Sequence, residues 1–186
     1  MDNKELRILD VSLKLFLRHG YKKVTMGDIA QAIGVSRPTL YSAFANKEMI
    51  LSALLNREIE RHMHVTAALV EKAKSLRDRL EVAFDEWILK PFAEAVHSEN
   101  GKDLLLNCRS YAPEGYSALY ASFEAQLTMI LKSEMKKKVG GVSAQDLAHI
   151  LNLATQGLKT STGTLPDLRR LIEGLITMSL AIVDKS

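Results

Sequence analysis

Residues 25–47 read T-M-G-D-I-A-Q-A-I-G-V-S-R-P-T-L-Y-S-A-F-A-N-K, and this stretch leaves the chain few ways to fold. Thr25 precedes an apolar-periodic run and Asp28 stands three residues on, a variant of the capping box with Asp in place of Glu or Gln. The helix so started carries Ile29, Ala30 and Ile33 on one face, and Gly34 ends it. Val35 fills a tight turn. Ser36 then caps a second helix with Pro38 in its first turn, where a missing N–H does no harm. Leu40 and Phe44 are four apart and share a buried face. Arg37, Pro38, Thr39, Tyr41 and Ser42 are left for the outside.

Two short helices joined this way form a helix-turn-helix, whose second helix enters the major groove of DNA. The outward set suits that task. A guanidinium pairs with guanine edges or with phosphate, and an apolar Pro38 can touch a thymine methyl. Hydroxyls on Thr, Ser and Tyr suit phosphate oxygens. The charge distribution agrees. Residues 1–47 hold eight Lys/Arg against four Asp/Glu, while residues 48–186 hold 17 against 18, so the basic excess sits at the end that would meet DNA.

The run I-G-V-S-R-P-T-L-Y-S-A-F-A-N-K-E resembles the DNA-binding signature of the TetR family of bacterial transcriptional regulators. Leu9, Phe16, Gly20 and Tyr21 precede it, and Thr25, Ile29, Ala30, Gly34, Val35, Ser36, Leu40, Tyr41, Phe44, Lys47 and Glu48 fall where the family has recurrent residues. The match covers residues 4–51. The resemblance implies an all-α fold, with a helix-turn-helix domain over residues 1–47 and a helical regulatory and dimerisation domain over 48–186. It implies a homodimeric repressor on a palindromic double-stranded DNA operator, released by a small-molecule effector, with no cofactor. It places DNA contacts at Thr25, Ser36, Arg37, Pro38, Thr39, Tyr41, Ser42 and Lys47, the last at a phosphate. Two positions depart from the pattern. Gly27 stands where many members carry a longer polar residue, and Ala43 is small, so base reading falls mainly to Arg37 and Pro38.

Along the rest of the chain, apolar spacing predicts helices over 4–19, capped by Asp2 or Asn3, and over 47 to about 72, capped by Asn46. A long helix is expected over 75–96, kinked or broken at Pro91. A loop is expected over 94–102, a short helix over 103–110, a turn at 111–115, and helices over 116–138, 143–158 and 164–183. Lys22 and Lys23 read equally as a solvated loop or as phosphate contacts. His62 and His64, two apart, do not share a helix face and read as polar surface residues rather than metal ligands. Phe84, Trp87, Phe92, Tyr111, Tyr116, Tyr120 and Phe123 read either as core or as the lining of an apolar pocket. A pocket set of Phe84, Trp87, Asn107, Cys108, Arg109, Tyr120, Phe123 and Gln156 combines them with nearby polar groups. The last two helices carry more apolar surface than one packed face needs. Gly157 and Gly174 with Leu151, Ala154, Leu158, Leu171, Leu175, Met178 and Ile182 read as a dimer seam or as monomer core.

Other chemistry has little support. Ser133 and Lys136 fit S-x-x-K without its companion motifs. The sole cysteine, Cys108, excludes an intrachain disulfide and fits a reducing, cytoplasmic setting; it reads as a buried small hydrophobe or as a thiol sensor. The N-terminus lacks an apolar stretch, and the apolar run 171–183 contains Glu173 and is too short to span a membrane. Two further classes stay open: an architectural DNA binder without effector, and a helical small-molecule binder with a vestigial motif.

Overall fold

The computed structural model describes residues 3–185, and among them every regular element is helical apart from an isolated bridge between Val139 and Val142. The chain divides into two compact units that interleave along the sequence, one of residues 1–58 and 94–119, the other of 59–93 and 120–186.

In the first unit, α1 (Asn3–His19) presents Ile8, Leu9 and Phe16 inward at helical spacing, all fully buried. Asn3 is the first residue of this helix, and Asp2 lies outside the described residues. Next come α2 (Met26–Ile33) and α3 (Arg37–Ala43). Their core is shared by Ile29, Ile33, Leu40 and Phe44, closed below by Ile50, Leu51 and Leu54 of α4 (Lys47–Val70). Asn46 caps α4 by accepting the Met49 N–H at 2.8 Å. The unit is completed by α7 (Glu99–Tyr111) and the start of α8 (Pro113–Glu134).

Two expectations for this region are corrected. The loop over 94–102 is short, because Ser98 accepts the Gly101 N–H at 2.9 Å and starts α7 at Glu99. Gly101 is needed there, since a Cβ would sit 2.5 Å from the Ala95 carbonyl oxygen. The turn over 111–115 shrinks to Ala112, with Pro113 opening α8. Gly115 lies in that helix with its Cα against Ser52 of α4.

In the second unit, the segment expected as one helix over 75–96 is three pieces. These are α5 (Leu76–Phe84), a π-helical turn (Asp85–Leu89) and α6 (Lys90–Ala95). Pro91 has no N–H and its ring crowds the preceding turn, and the widened π turn just before it absorbs the misfit. The wide turn buries four consecutive residues, Glu86, Trp87, Ile88 and Leu89. The Glu86 carboxylate is met by the Lys90 ammonium. The helix expected over 116–138 ends at Glu134, so Lys136–138 lie beyond it. Gly140 and Gly141, both at positive φ, make the tight turn that pairs Val139 with Val142. Ser143 and Asp146 form a capping box for α9 (Ala144–Ser161), and Thr164 caps α10 (Leu165–Val183). Arg77 of α5 pairs with Glu173 of α10, and Arg79 pairs with Glu134 of α8 at 2.9 Å. No helix among the described residues is long and apolar enough to cross a membrane.

Candidate nucleic-acid interface

The turn between α2 and α3 is built from local hydrogen bonds. Thr25 Oγ1 accepts the Asp28 N–H at 3.2 Å, and the Asp28 carboxylate accepts the Thr25 N–H at 2.8 Å. The Thr25 N–H and then the Thr25 hydroxyl, which also donates to the carboxylate at 2.8 Å, hold the Asp28 pKa below its ordinary value. Gly34 adopts φ 79°, which a β-carbon disfavours, and its N–H closes α2 on Ala30. Arg7 of α1 donates to the Ile33 carbonyl at 3.0 Å, placing a cation at the C-terminal end of α2. Ser36 Oγ accepts the Thr39 N–H and lies 2.8 Å from the Thr39 hydroxyl.

With Leu40 fully buried, α3 turns Arg37, Pro38, Tyr41 and Ser42 to solvent, and Thr39 is half-buried beside them. Ser42 Oγ donates to the Thr39 carbonyl at 2.8 Å. The Arg37 guanidinium lies over Gly27 of α2: a Cβ there would stand 2.7 Å from Nη2. The result is an exposed surface of one guanidinium, one phenol, hydroxyls and a proline ring, the groups that pair with base edges and phosphate oxygens.

Lys47, expected at a phosphate, is engaged within the protein instead. Its ammonium donates to the carbonyls of Tyr21 at 2.7 Å, Val24 at 3.0 Å and Lys22 at 3.2 Å, and stands 4.5 Å from the Tyr21 ring centre. Burial lowers its pKa, and the three carbonyls offset that cost. The loop so tied down is further held by aromatic packing. Tyr21 stacks on Tyr111 at 4.4 Å and meets Phe16 edge-on at 5.0 Å, and burial raises its pKa to about 12. Lys22 stands 5.8 Å from the Tyr111 ring.

The expected pocket set is not brought together in one unit. Asn107, Cys108 and Arg109 belong to the first unit, where Cys108 is buried, Arg109 is exposed, and the Asn107 amide is bound to Asp103. In the second unit Phe84, Trp87 and Phe123 pack ring on ring, with centres 5.5 Å apart for Phe84–Phe123 and 5.7 Å for Trp87–Phe123. Trp87 Nε1 donates to Thr66 Oγ1 at 3.0 Å. Tyr120 is buried and its hydroxyl accepts from Lys159 at 3.0 Å. Gln156 donates to Asn152 at 3.5 Å. His62 is buried with its ring 5.0 Å from Trp87, which corrects its reading as a surface residue; His64 is exposed. A cavity of about 780 Å³ in this unit lies elsewhere, between the α5–π–α6 segment and α10. Of the expected set only Phe84 lines it, with Leu89, Ile172, Ile176, Arg169 and Lys90 among the others.

On α9 and α10 the expected seam is partly redrawn. Leu151 faces inward and is buried. Ala154, Leu158, Leu171, Leu175 and Ile182 are half-buried and Met178 is exposed. Ile150 and Leu153, absent from the expected seam, are more than half exposed. A Cβ on Gly157 or Gly174 would meet open space.

The profile of the family described as "Bacterial regulatory proteins, tetR family" matches residues 8–54, which is α1 through the first turns of α4. The chain is 45% identical over 53 residues to the HTH-type transcriptional repressor ComR of Escherichia coli strain K12, covering 28% of this chain and 25% of that protein. It is 24% identical over 162 residues to the HTH-type transcriptional regulator EthR of Mycolicibacterium smegmatis, covering 83% and 72%. The fold superposes on Thermus thermophilus FadR, a TetR family transcriptional repressor solved in complex with lauroyl-CoA. The TM-score is 0.68 at 20% identity, over 95% of this chain and 93% of that one. Over residues 8–54 the chain matches the DNA-binding region of the TetR family. The family profile falls on the helices that carry Arg37 and Tyr41, so sequence likeness is strongest where the exposed polar surface lies. Beyond residue 54 the chain shares the fold with its neighbours at low identity, and its aromatic core and buried Lys159 were visible only in three dimensions.

Proposed function

We propose that this protein is a homodimeric transcriptional repressor that binds a specific palindromic operator through α3 and is released by a small-molecule effector. The observation that carries the reading is the exposed face of α3, Arg37, Pro38, Tyr41 and Ser42, held over a fully buried Leu40 in a basic-end domain. Arg37 and Pro38 read base edges, and Thr25, Ser36, Thr39, Tyr41 and Ser42 meet the phosphate backbone. Lys47 shapes the loop before α2 rather than clamping DNA.

Two recognition helices must be spaced by one turn of duplex to read a palindrome. The exposed apolar residues of α9 and α10, with the open sides of Gly157 and Gly174, support a four-helix seam between two copies that sets this spacing. The FadR complex with lauroyl-CoA supports an effector, and the second unit, with its cavity and buried polar groups, is the part we assign to it. Because α4 belongs to both units, an effector that prefers one arrangement of that helix shifts the DNA-competent population. The test is selection of bound duplexes from a random pool, repeated with candidate ligands. A palindromic consensus whose binding is lost on ligand addition supports the proposal, and absence of any enriched duplex at low salt refutes it. Enrichment that no ligand reverses would favour an effector-free DNA binder.

A further inference from the structure

We infer that Gly27 is a specificity-determining residue, because its bare Cα forms the seat in which the Arg37 guanidinium lies. The inference rests on the reading of α3 as the base-reading helix. Gly27 is the second residue of α2 and has no positive φ, so the backbone there does not call for glycine. Glycine is also among the poorest helix formers. Its presence finds its physical reason across the turn. A Cβ built on Gly27 would stand 2.7 Å from Arg37 Nη2, 3.2 Å from Cζ and 3.2 Å from Nε. All three nearest atoms belong to one guanidinium, and none is backbone or core.

That geometry separates recognition from stability. A methyl group at residue 27 leaves the packing of α2 alone and displaces the mobile end of Arg37. A guanidinium pairs with a base edge through two parallel N–H bonds, and such a fork tolerates little displacement. The first helix of the motif therefore sets base preference without touching DNA, by deciding where the arginine of the second helix rests.

The experiment compares wild type, Gly27→Ala, Arg37→Ala and the double variant on the selected duplex and on duplexes altered at each base pair, with melting temperatures recorded. Gly27→Ala is expected to keep or raise the melting temperature and the salt dependence of non-specific binding. It is expected to lose about fivefold or more of its preference at the same base pair that Arg37→Ala relaxes, and the double variant should be no worse than Arg37→Ala. Preference retained in Gly27→Ala but lost in Arg37→Ala overturns the seat while leaving the recognition helix in place. A lowered melting temperature in Gly27→Ala also overturns it, since the glycine would then serve packing. Preference retained in Arg37→Ala, or no duplex bound by wild type, overturns the reading of α3 and the seat with it.

Discussion

Replacing Lys47 by alanine separates two roles that a lysine at the start of α4 can play. In the structure its ammonium donates to the Tyr21, Val24 and Lys22 carbonyls at 2.7, 3.0 and 3.2 Å. The first two bonds are partly buried and the third is exposed, so water replaces the third at little cost. A hydrogen bond to a charged group contributes roughly 1.5–3 kcal/mol when protected. Two partly protected bonds at the lower end give about 3 kcal/mol, and the contact with the Tyr21 ring adds about 0.5 kcal/mol. Desolvation of the ammonium, seen as its lowered pKa, takes back part of this, leaving about 2 kcal/mol. For a chain of this size the melting temperature should fall by about 4–8 °C, measured by circular dichroism. Lys47→Met, which keeps the aliphatic stem, should fall nearly as far. An unchanged melting temperature with a salt slope of DNA binding reduced by about 0.9 would refute the reasoning and make Lys47 a phosphate clamp.

Phe123→Ala removes a fully buried ring that meets Phe84 and Trp87, and should cost about 3–5 kcal/mol in denaturant unfolding; a loss under ~1 kcal/mol would mean the aromatic core is not packed as described. Ile150→Asp with Leu153→Asp places two charges on side chains that are exposed in the single chain, so sedimentation should show monomers with intact helical circular dichroism. A dimer that survives both changes would move the proposed seam elsewhere. Asp146 accepts hydrogen bonds from the Ser143 hydroxyl and backbone N–H, which lower its pKa in the folded state. Its stabilising contribution is therefore complete above the unfolded carboxylate value near 3.9 and is lost as pH falls through the lowered folded value. The Asp146→Asn variant, with nothing to protonate, should lose less melting temperature than wild type between about pH 5 and pH 2; parallel curves would sink the assignment.

What the sequence disclosed followed range of interaction. The caps of α2, α3, α9 and α10 are bonds over three residues; Thr25 and Ser143 were legible from the Asp three residues on, and Ser36 and Thr164 from the proline in the first turn after each. The exposed set on α3 followed from the burial of Leu40 and Phe44 alone. Lys47 was not legible as a loop fastener, because its acceptors lie 23 to 26 residues back. His62 gave no hint of burial, because Trp87, the ring it meets, is 25 residues on. Gly101 and Gly115 looked like loop and turn markers. Each instead marks a close approach, of Ala95 to α7 and of Ser52 to α8, and glycine's composition signal is the same in both cases.

The hardest helix to read was α9, because its inner face mixes apolar and polar residues. Its buried positions are Ala144, Leu147, Ala148, Leu151, Asn152, Thr155 and Lys159, three of them polar, while Ile150 and Leu153 face out. A hydrophobic pattern alone assigns Asn152, Thr155 and Lys159 to solvent and Ile150 to the core. The three polar residues are tolerable on the inside because they are paired. Asn152 donates to Glu124 at 2.8 Å, Thr155 to the Leu151 carbonyl at 2.7 Å, and Lys159 to the Tyr120 hydroxyl at 3.0 Å. Inside pairing does nothing for the outward face. At roughly 25 cal/mol per Å² of apolar surface, leaving Ile150 and Leu153 in water forgoes burial that a helix of ordinary polarity would already have gained. The cost is recovered only if another apolar surface covers them, and α10 of the same chain offers Met178 and the open side of Gly174 rather than a lid. A helix that leaves Ile150 and Leu153 facing out has a reason to do so when a second copy covers them, which is how we propose this one is used.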